Sequence, residues 1–468
     1  MELPSSSTSG SDLSFTSYLG EVRDRLSAAG VPGAAVGMSE RGRVLLAEGL
    51  GFRDRDRELP ATADTIFGLG SVTKIFTAVL VMKLQEEGRL RVEDPVVRFL
   101  PGFATPDPDH TRAVTLHHLL THTSGLPPSN LLYRAMARTL SPDDEAYEAP
   151  IDTEAELLAA LAAADMRYVG APGERLSYSN EGFALLGFIV ERAAGRSLPE
   201  YLRDSLLHPL GMERTSFRLP DVFDEPVTRM YRRAPDNGAA EPMAVWRNGP
   251  AMLAAGFLRS TVQDMLRFLE FFLSAGRAGE TQLLSPASVE QMTRPHAPYA
   301  PRQAYGYGVR ITEGYRGGRL LEHSGGLLGV ASHFTMVPDR DLAAVGLANL
   351  TDAPLARLTL AAVNARLGLG FDEPRVTYPD RASDDEPRHP FLEGEYATGE
   401  RDVLRVRDEN GRLAIGVDAP VPARYLGGAG YLAEAPGQEP QYHRFLLDER
   451  GRAWGVTLGT RVLFRRTP

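Results

Sequence analysis

Cysteine is missing altogether from the 468 residues. That rules out disulfides, thiolate-bound metal and a cysteine nucleophile. Positive charge is in deficit: 51 Lys and Arg stand against 61 Asp and Glu, a net charge of −10. Such a surface does not suit nucleic acid or an anionic membrane. No run approaches the roughly 18 consecutive apolar residues of a membrane-crossing helix. The opening stretch lacks a basic segment followed by an apolar one, so no secretory leader is read there. The expected compartment is the cytoplasm, unless a leader precedes this sequence. What remains is an ordinary globular composition, 43% hydrophobic and 24% charged, with length for a large core and an accessory module.

Taken in order, residues 1–12 are Ser/Thr/Gly-rich and read as disordered. Apolar spacing from Leu13 to Ala29 is helical. Ala34–Met38 and Val44–Gly49, joined by Glu40-Arg41-Gly42, read as a hairpin. Thr115 to Leu126 reads as a helix ending in a tight turn at Gly125. Its histidines lack the carboxylate partner of a zinc-hydrolase helix, so a structural role is expected for them. Residues 127–172, with the acidic run Asp143-Asp144-Glu145 and an Ala-rich helix from Thr153 to Ala164, read as a helical insertion or lid. Glu181–Ala194 and Leu198–Leu210 are helical, each stopped by a glycine. Residues 220–250 read as loop, with Trp246 placed to line a cleft. Ser260 or Thr261 should cap the next helix.

Strand-like runs follow at Tyr305–Val309, Arg319–His323, Ala331–Val337 and Leu342–Leu347, an antiparallel meander. A helix from Ala353 to Leu367 closes this unit, which spans 13–370. Residues 371–390, rich in Pro, Asp and Arg, read as a linker. Residues 391–468 change texture. Alternating runs at Leu404–Arg407, Arg412–Ile415, Arg444–Leu447, Ala453–Leu458 and Thr460–Arg465 mark a small all-β domain.

Chemistry concentrates in Phe67-Gly68-Leu69-Gly70-Ser71-Val72-Thr73-Lys74. An apolar run without Gly or Pro until Gly88 predicts a buried helix over Ser71–Glu87. Positions three apart share a helix face, so the Ser71 hydroxyl and the Lys74 amine stand side by side. Serine is a weak nucleophile until a base takes its proton. A lysine buried in an apolar wall can be that base. The positive end of the helix favours an oxyanion at Ser71. Alone, the tetrapeptide also reads as an ordinary N-cap.

Two further stretches carry weight beside it. In Ser177-Tyr178-Ser179-Asn180, a tyrosine held near a lysine can relay a proton, and Asn180 can orient a carbonyl or bond the lysine. The bland alternative is an Asn N-cap and a buried tyrosine. Leu321-Glu322-His323-Ser324-Gly325-Gly326 reads as a strand end entering a Gly-rich turn. There the backbone can approach a ligand, and the Gly326 N–H can bind an oxyanion.

The order Ser-x-x-Lys, Tyr-x-Asn, His-Ser-Gly resembles the serine β-lactamase and penicillin-binding-protein superfamily. It is most similar to the class C β-lactamase, family VIII esterase, carboxypeptidase and D-stereospecific peptidase branch. His118–Leu126, Pro172-Gly173-Glu174, Pro209–Met212 and Leu284-Ser285-Pro286 extend the likeness over about 15–367. The resemblance implies an α+β transpeptidase-like fold, an antiparallel sheet flanked by helices, followed by a lipocalin-like barrel. It implies Ser71 as acylating nucleophile, Lys74 as its base and Tyr178 as proton relay. Asn180, His323, Ser324, Gly325 and Gly326 would contact substrate, with the oxyanion hole formed by the N–H groups of Ser71 and Gly326. No metal or cofactor enters.

His323 departs from the lysine that many members carry there. A neutral or weakly charged group holds a substrate carboxylate less firmly, which places β-lactam hydrolysis and D-Ala-D-Ala carboxypeptidase activity low. Small esters, or amides of D-amino-acid peptides, are the expected substrates. An amine intercepting the same acyl-enzyme would make a transferase or cyclase, and a relative that had lost catalysis would be a scaffold. Self-association stays open.

Overall fold

The structure is a computed structural model. It describes residues 15–139, 149–222, 224–234, 236–379, 391–399, 403–409, 411–417, 419–435 and 439–466. The expected disordered start, the acidic run at 143–145 and the 380–390 part of the expected linker lie outside them.

A nine-stranded antiparallel sheet organises the first 370 residues. Its strands in chain order are β1 (Gly33–Glu40), β2 (Arg43–Asp54), β3 (Leu59–Pro60), β4 (Ala297–Ala300), β5 (Gln303–Tyr305), β6 (Arg310–Tyr315), β7 (Gly318–Leu327), β8 (Val330–Val337) and β9 (Leu342–Ala348). Across the sheet the order is β4-β5-β6-β7-β8-β9-β1-β2-β3. The first hairpin and the later meander therefore meet where β1 pairs with β9, Ala34 opposite Ala348 and Glu40 opposite Leu342.

Five long helices cover the sheet: α1 (Phe15–Ala28), α2 (Thr73–Glu86), α3 (Asn180–Ala194), α4 (Val262–Leu273) and α5 (Leu355–Arg366). Strand residues alternate between two helical layers, because successive side chains leave a strand on opposite faces. Along β9, Ala343, Val345 and Leu347 join the core with α2, α3 and α4, while Leu342, Ala344 and Ala348 join that with α1 and α5. Burial on both faces is why β9 reads as one unbroken apolar run. Between α2 and α4 the rings of Phe76 and Phe268 stack with centroids 3.7 Å apart. On the far layer the Tyr18 hydroxyl donates to the Leu358 carbonyl at 3.0 Å.

Beyond this unit, eight strands close into an antiparallel barrel: β10 (Gly394–Ala397), β11 (Val403–Glu409), β12 (Arg412–Gly416), β13 (Val421–Gly427), β14 (Gly430–Ala433), β15 (Gln441–Leu447), β16 (Ala453–Leu458) and β17 (Arg461–Arg465). Leu404, Ile415, Tyr431, Val456 and Leu463 fill its interior. Three strands, β10, β13 and β14, escape the pattern reading, being short or broken by proline and glycine. Arg375, in the segment between sheet and barrel, bonds Glu322 of β7 and meets Glu439, just before β15, at 3.0 Å.

Other expectations need correction. The helix expected over 115–126 stops after Leu116–Leu120, because His122 takes φ +57° and Gly125 φ +80°. The Tyr305–Val309 run is a strand only to Tyr305, and Gly308 turns the chain at φ +72°. His323-Ser324-Gly325-Gly326 is not a strand end and turn: β7 runs on to Leu327, with Gly326 opposite Ala331. Thr261, not Ser260, caps α4 by accepting from the Asp264 N–H. The expectation for Trp246 holds: it lines a pocket with Phe217, Leu253 and Arg259, beside Met230, Met243 and Val330.

Candidate active site

Two glycines set Ser71 in place. Phe67-Gly68 pairs with Arg259-Ser260, and the chain then turns through a single 3₁₀ turn, Gly70–Val72, into α2. This turn lies along β7 beyond Glu322, where pairing with β6 has ended. A Cβ on Gly70, whose φ is +49°, would come within 2.6 Å of the Gly326 nitrogen. A Cβ on Gly325 would come within 1.9 Å of the Leu69 carbonyl oxygen. Only bare backbones fit this closely. The Ser332 hydroxyl donates to that same Leu69 oxygen at 2.5 Å, tying the turn to β8. The N-terminal turn of α2 and the Gly326 nitrogen thus flank a half-buried Ser71.

Lys74 is fully buried. Its Nζ lies 3.1 Å from Ser71 Oγ, 2.9 Å from Asn180 Oδ1 and 2.6 Å from the carbonyl oxygen of Ala255. The two latter atoms can only accept, so they take two N–H bonds of the amine. The direction left points at the hydroxyl. Asn180 opens α3, but the cap is Ser179, whose hydroxyl accepts from the Gly182 N–H. That correction frees the Asn180 side chain from capping and leaves its oxygen for Lys74. The ring of Phe183, one turn along α3, lies 5.6 Å from the amine.

Tyr178, 2% exposed, brings its ring to 4.8 Å from Lys74 Nζ. Its position comes from two sides. The Tyr178 N–H donates to the Thr460 carbonyl at 2.8 Å, and the Ser177 hydroxyl accepts from the Val462 N–H at 3.3 Å. Thr460 sits in the turn between β16 and β17 and Val462 in β17, and the guanidinium of Arg461 sits 5.0 Å over the Tyr178 ring. On the other side His122 packs with centroids 4.2 Å apart, its Nδ1 accepting from the Ser179 N–H at 3.1 Å.

His323 is buried behind this group. Its Nδ1 is 2.7 Å from the Ser324 carbonyl oxygen, which can only accept, so Nδ1 carries the proton. Nε2 then accepts from the Tyr305 hydroxyl at 2.9 Å. Burial, reinforced by Arg310 and Lys74, holds its pKa well below the ordinary histidine value. Burial and then Lys74 do the same to His122. The structure therefore brings Ser71, Lys74, Asn180, Tyr178 and the Gly325-Gly326 backbone together. Ser324 is half-buried beside them, and the His323 ring has both nitrogens committed inside the protein.

Sequence reasoning passes over Ala255, Arg461 and Thr460. A backbone carbonyl has no residue signature. Arg461 lies 283 positions beyond Tyr178 and belongs to the barrel, so no local spacing reports it. His122 could be found, because its stretch, Thr121-His122-Thr123-Ser124-Gly125, stood out already.

The family model described as Beta-lactamase matches residues 20–367. The chain belongs to the beta-lactamase family. The match stops short of the barrel. Penicillin-binding protein 4 of Amycolatopsis lactamdurans is 32% identical over 68% of this chain and 81% of its own. Among solved structures, the octameric penicillin-binding protein homologue from Pyrococcus abyssi superposes with a TM-score of 0.70 at 26% identity, covering 96% of this chain and 100% of that one. A D-stereospecific amidohydrolase from Streptomyces sp. superposes with a TM-score of 0.59 at 26% identity, over 73% of this chain and 97% of its own. Membership bears out the α+β fold of an antiparallel sheet flanked by helices. No helix among the described residues is long and apolar enough to cross a membrane.

Proposed function

We propose that this beta-lactamase family member is a serine hydrolase. It would act through an acyl-enzyme on Ser71, with small esters or amides as substrates and D-amino-acid peptides favoured among them. The observation that carries this reading is the set of contacts at Lys74 Nζ. A neutral amine has two N–H bonds and one lone pair. With the N–H bonds given to Asn180 and Ala255, the lone pair faces the Ser71 hydroxyl, as a general base requires.

The Ser71 proton passes to Lys74 as Oγ attacks the substrate carbonyl carbon. The carbonyl oxygen becomes an oxyanion, bound by the N–H groups of Ser71 and Gly326. Tyr178 delivers a proton to the leaving oxygen or nitrogen as that bond breaks. Water then attacks the ester, giving its proton to Tyr178, and the acid is released as Ser71 Oγ leaves and takes back the proton held by Lys74. Asn180 holds Lys74 and meets the substrate. His323, neutral and internally bonded, positions β7 and Tyr305 and gives no cation for a carboxylate. The D-amino-acid preference is supported by likeness to the D-stereospecific amidohydrolase.

Intact-mass spectrometry tests this on wild type and Ser71→Ala with a fluorophosphonate, a p-nitrophenyl ester, a penicillin and a D-amino-acid amide. Covalent label or turnover should disappear with Ser71, and the ester and the D-amide should turn over faster than the penicillin. Label kept in Ser71→Ala, or no reaction with any probe, overturns the reading.

A further inference from the structure

A cavity of about 480 Å³ lies between the sheet and the barrel, with Arg461 in its wall. Its walls come from β4 and β6, from the 374–378 segment, and from the barrel residues that flank β15 and β17. Arg310 of β6 opens into it. Arg310 stands opposite Tyr305 and Glu322 in the strand ladders, yet its guanidinium makes no hydrogen bond or ion pair with any described residue, and its Nε is buried. Arg310 as a whole is half-buried. A buried N–H such as its Nε, left without an acceptor, is costly, and the other N–H groups of the guanidinium stay available to a ligand.

The carboxylates that line the cavity are engaged by another cation. Arg375 bonds one oxygen of Glu322 and holds Glu439 at 3.0 Å. The second Glu322 oxygen is buried, lies 4.0 Å from His333 Nε2 and has no hydrogen-bond partner among the described residues. Tyr299 and Tyr378, which also line the cavity, give their hydroxyls to no described residue. Tyr299 lies close enough to Arg310, Arg375 and Tyr378 to feel their charge. Arg461 closes the wall toward Tyr178. The lining thus has surplus donors and surplus positive charge, in a protein whose net charge is −10.

We propose that this cavity is a second ligand site, which binds a small oxyanion through Arg310 with Tyr299 and Tyr378 as auxiliary donors. A planar guanidinium matches a carboxylate or a phosphoryl group in a two-point contact. The site does not depend on chemistry at Ser71. Because Arg461 borders both the cavity and the Tyr178 ring, an anion bound here sits one side chain from the catalytic tyrosine.

Isothermal titration of the full chain, in buffer without oxyanions, tests the proposal with N-acetylglycine, inorganic phosphate and the neutral N-acetylglycinamide. At least one of the two anions should bind, and the amide should bind at least tenfold more weakly than N-acetylglycine if the carboxylate is the form recognised. The tighter of the two anions says whether a carboxylate or a phosphoryl group is the natural form. Arg310→Gln should weaken that anion at least tenfold and Arg310→Lys less. Tyr299→Phe, which leaves every cation in place, should weaken it severalfold. Failure of both anions to bind overturns the site, as does binding that Arg310→Gln leaves unchanged.

Discussion

Lys74, fully buried, and Arg310, half-buried with a buried Nε, are both cationic residue types, and the same protein treats them in opposite ways. Lys74 has all its directions filled, by Ser71, Asn180 and Ala255. Arg310, on the strand next to β7, makes no side-chain hydrogen bond or ion pair with any described residue. A saturated group is fixed in geometry and free only to exchange the proton with its one reactive neighbour. An unsaturated group carries an unmet demand, which a ligand can meet. The contrast separates a place built for proton transfer from a place built for binding, and the predictions below press on it from both ends.

The largest effect should come from Lys74→Met, which keeps the length of the side chain and removes the amine. Loss of the base should lower kcat/KM on a p-nitrophenyl ester by about 10³-fold or more, toward the upper range for general-base removal. Stopped-flow acylation, followed separately from deacylation, reads it. Acylation within tenfold of wild type would show that Lys74 is not the base. Thermal stability should fall modestly in the same variant, by about 1–3 kcal/mol, since methionine leaves the buried Asn180 Oδ1 and Ala255 carbonyl without their donor.

Arg375→Leu should act on stability rather than chemistry. It strands the Glu322 carboxylate, 2% exposed at its side chain, without its cation. Breaking a buried pair from one side costs about 3–5 kcal/mol. Urea unfolding read at Trp454, in the barrel, should show the loss, and the double variant Arg375→Leu/Glu322→Gln should recover part of it. A loss under about 1 kcal/mol would mean that the pair is solvated in solution.

A graded effect is expected in acid. His122, His323 and His333 have pKa values held well below the ordinary one, in each case first by burial. The unfolded chain binds protons at these sites from about pH 6.5 downward, while the folded one does not. More protons in the unfolded state means that stability rises with pH across this window. It is present in full above about pH 6.5 and falls as the pH drops below it, by about 1.4 kcal/mol per pH unit for each histidine. Denaturation midpoints between pH 7 and pH 5 measure the slope. A flat profile would show these rings already protonated in the fold.

The legible part of this molecule and the illegible part divide along the same line as Lys74 and Arg310. Ser71, Lys74, Tyr178 and Asn180 could be read because short spacings on helices and caps put them on shared faces. The two-layer sheet could be read because apolar runs without charge announce burial on both sides. The extension of β7 through Gly325-Gly326 could not, since two glycines in a row carry a turn signal. Here they serve close backbone packing against Leu69 and Gly70. The barrel stretch Thr460–Val462, where the turn passes into β17, could not be placed beside Ser177-Tyr178, because nothing local in either stretch names the other. Arg310 looked like one more charged residue on a strand. Only the three-dimensional arrangement shows that its acceptors went elsewhere.

The smallest effect is the most diagnostic for that comparison. Arg310→Gln should leave stability at pH 7, in buffer without oxyanions, within about 0.5 kcal/mol of wild type, as for a substitution that breaks no contact. The sign should then change in acid. Arg310 is second only to burial among the forces that keep His323 neutral, and it contributes at His333 as well. Removing it lets both rings take up protons at higher pH, so the folded state gives up less to the unfolded one below pH 6.5. The variant should be the more stable protein at pH 5, with a shallower acid slope. Adding the better anion of the titration should stabilise wild type and not the variant, because only a ligand bound to the folded state raises its stability. Were Arg310→Gln instead destabilised at pH 7 by as much as Arg375→Leu, the guanidinium would have partners of its own and the cavity no unmet demand.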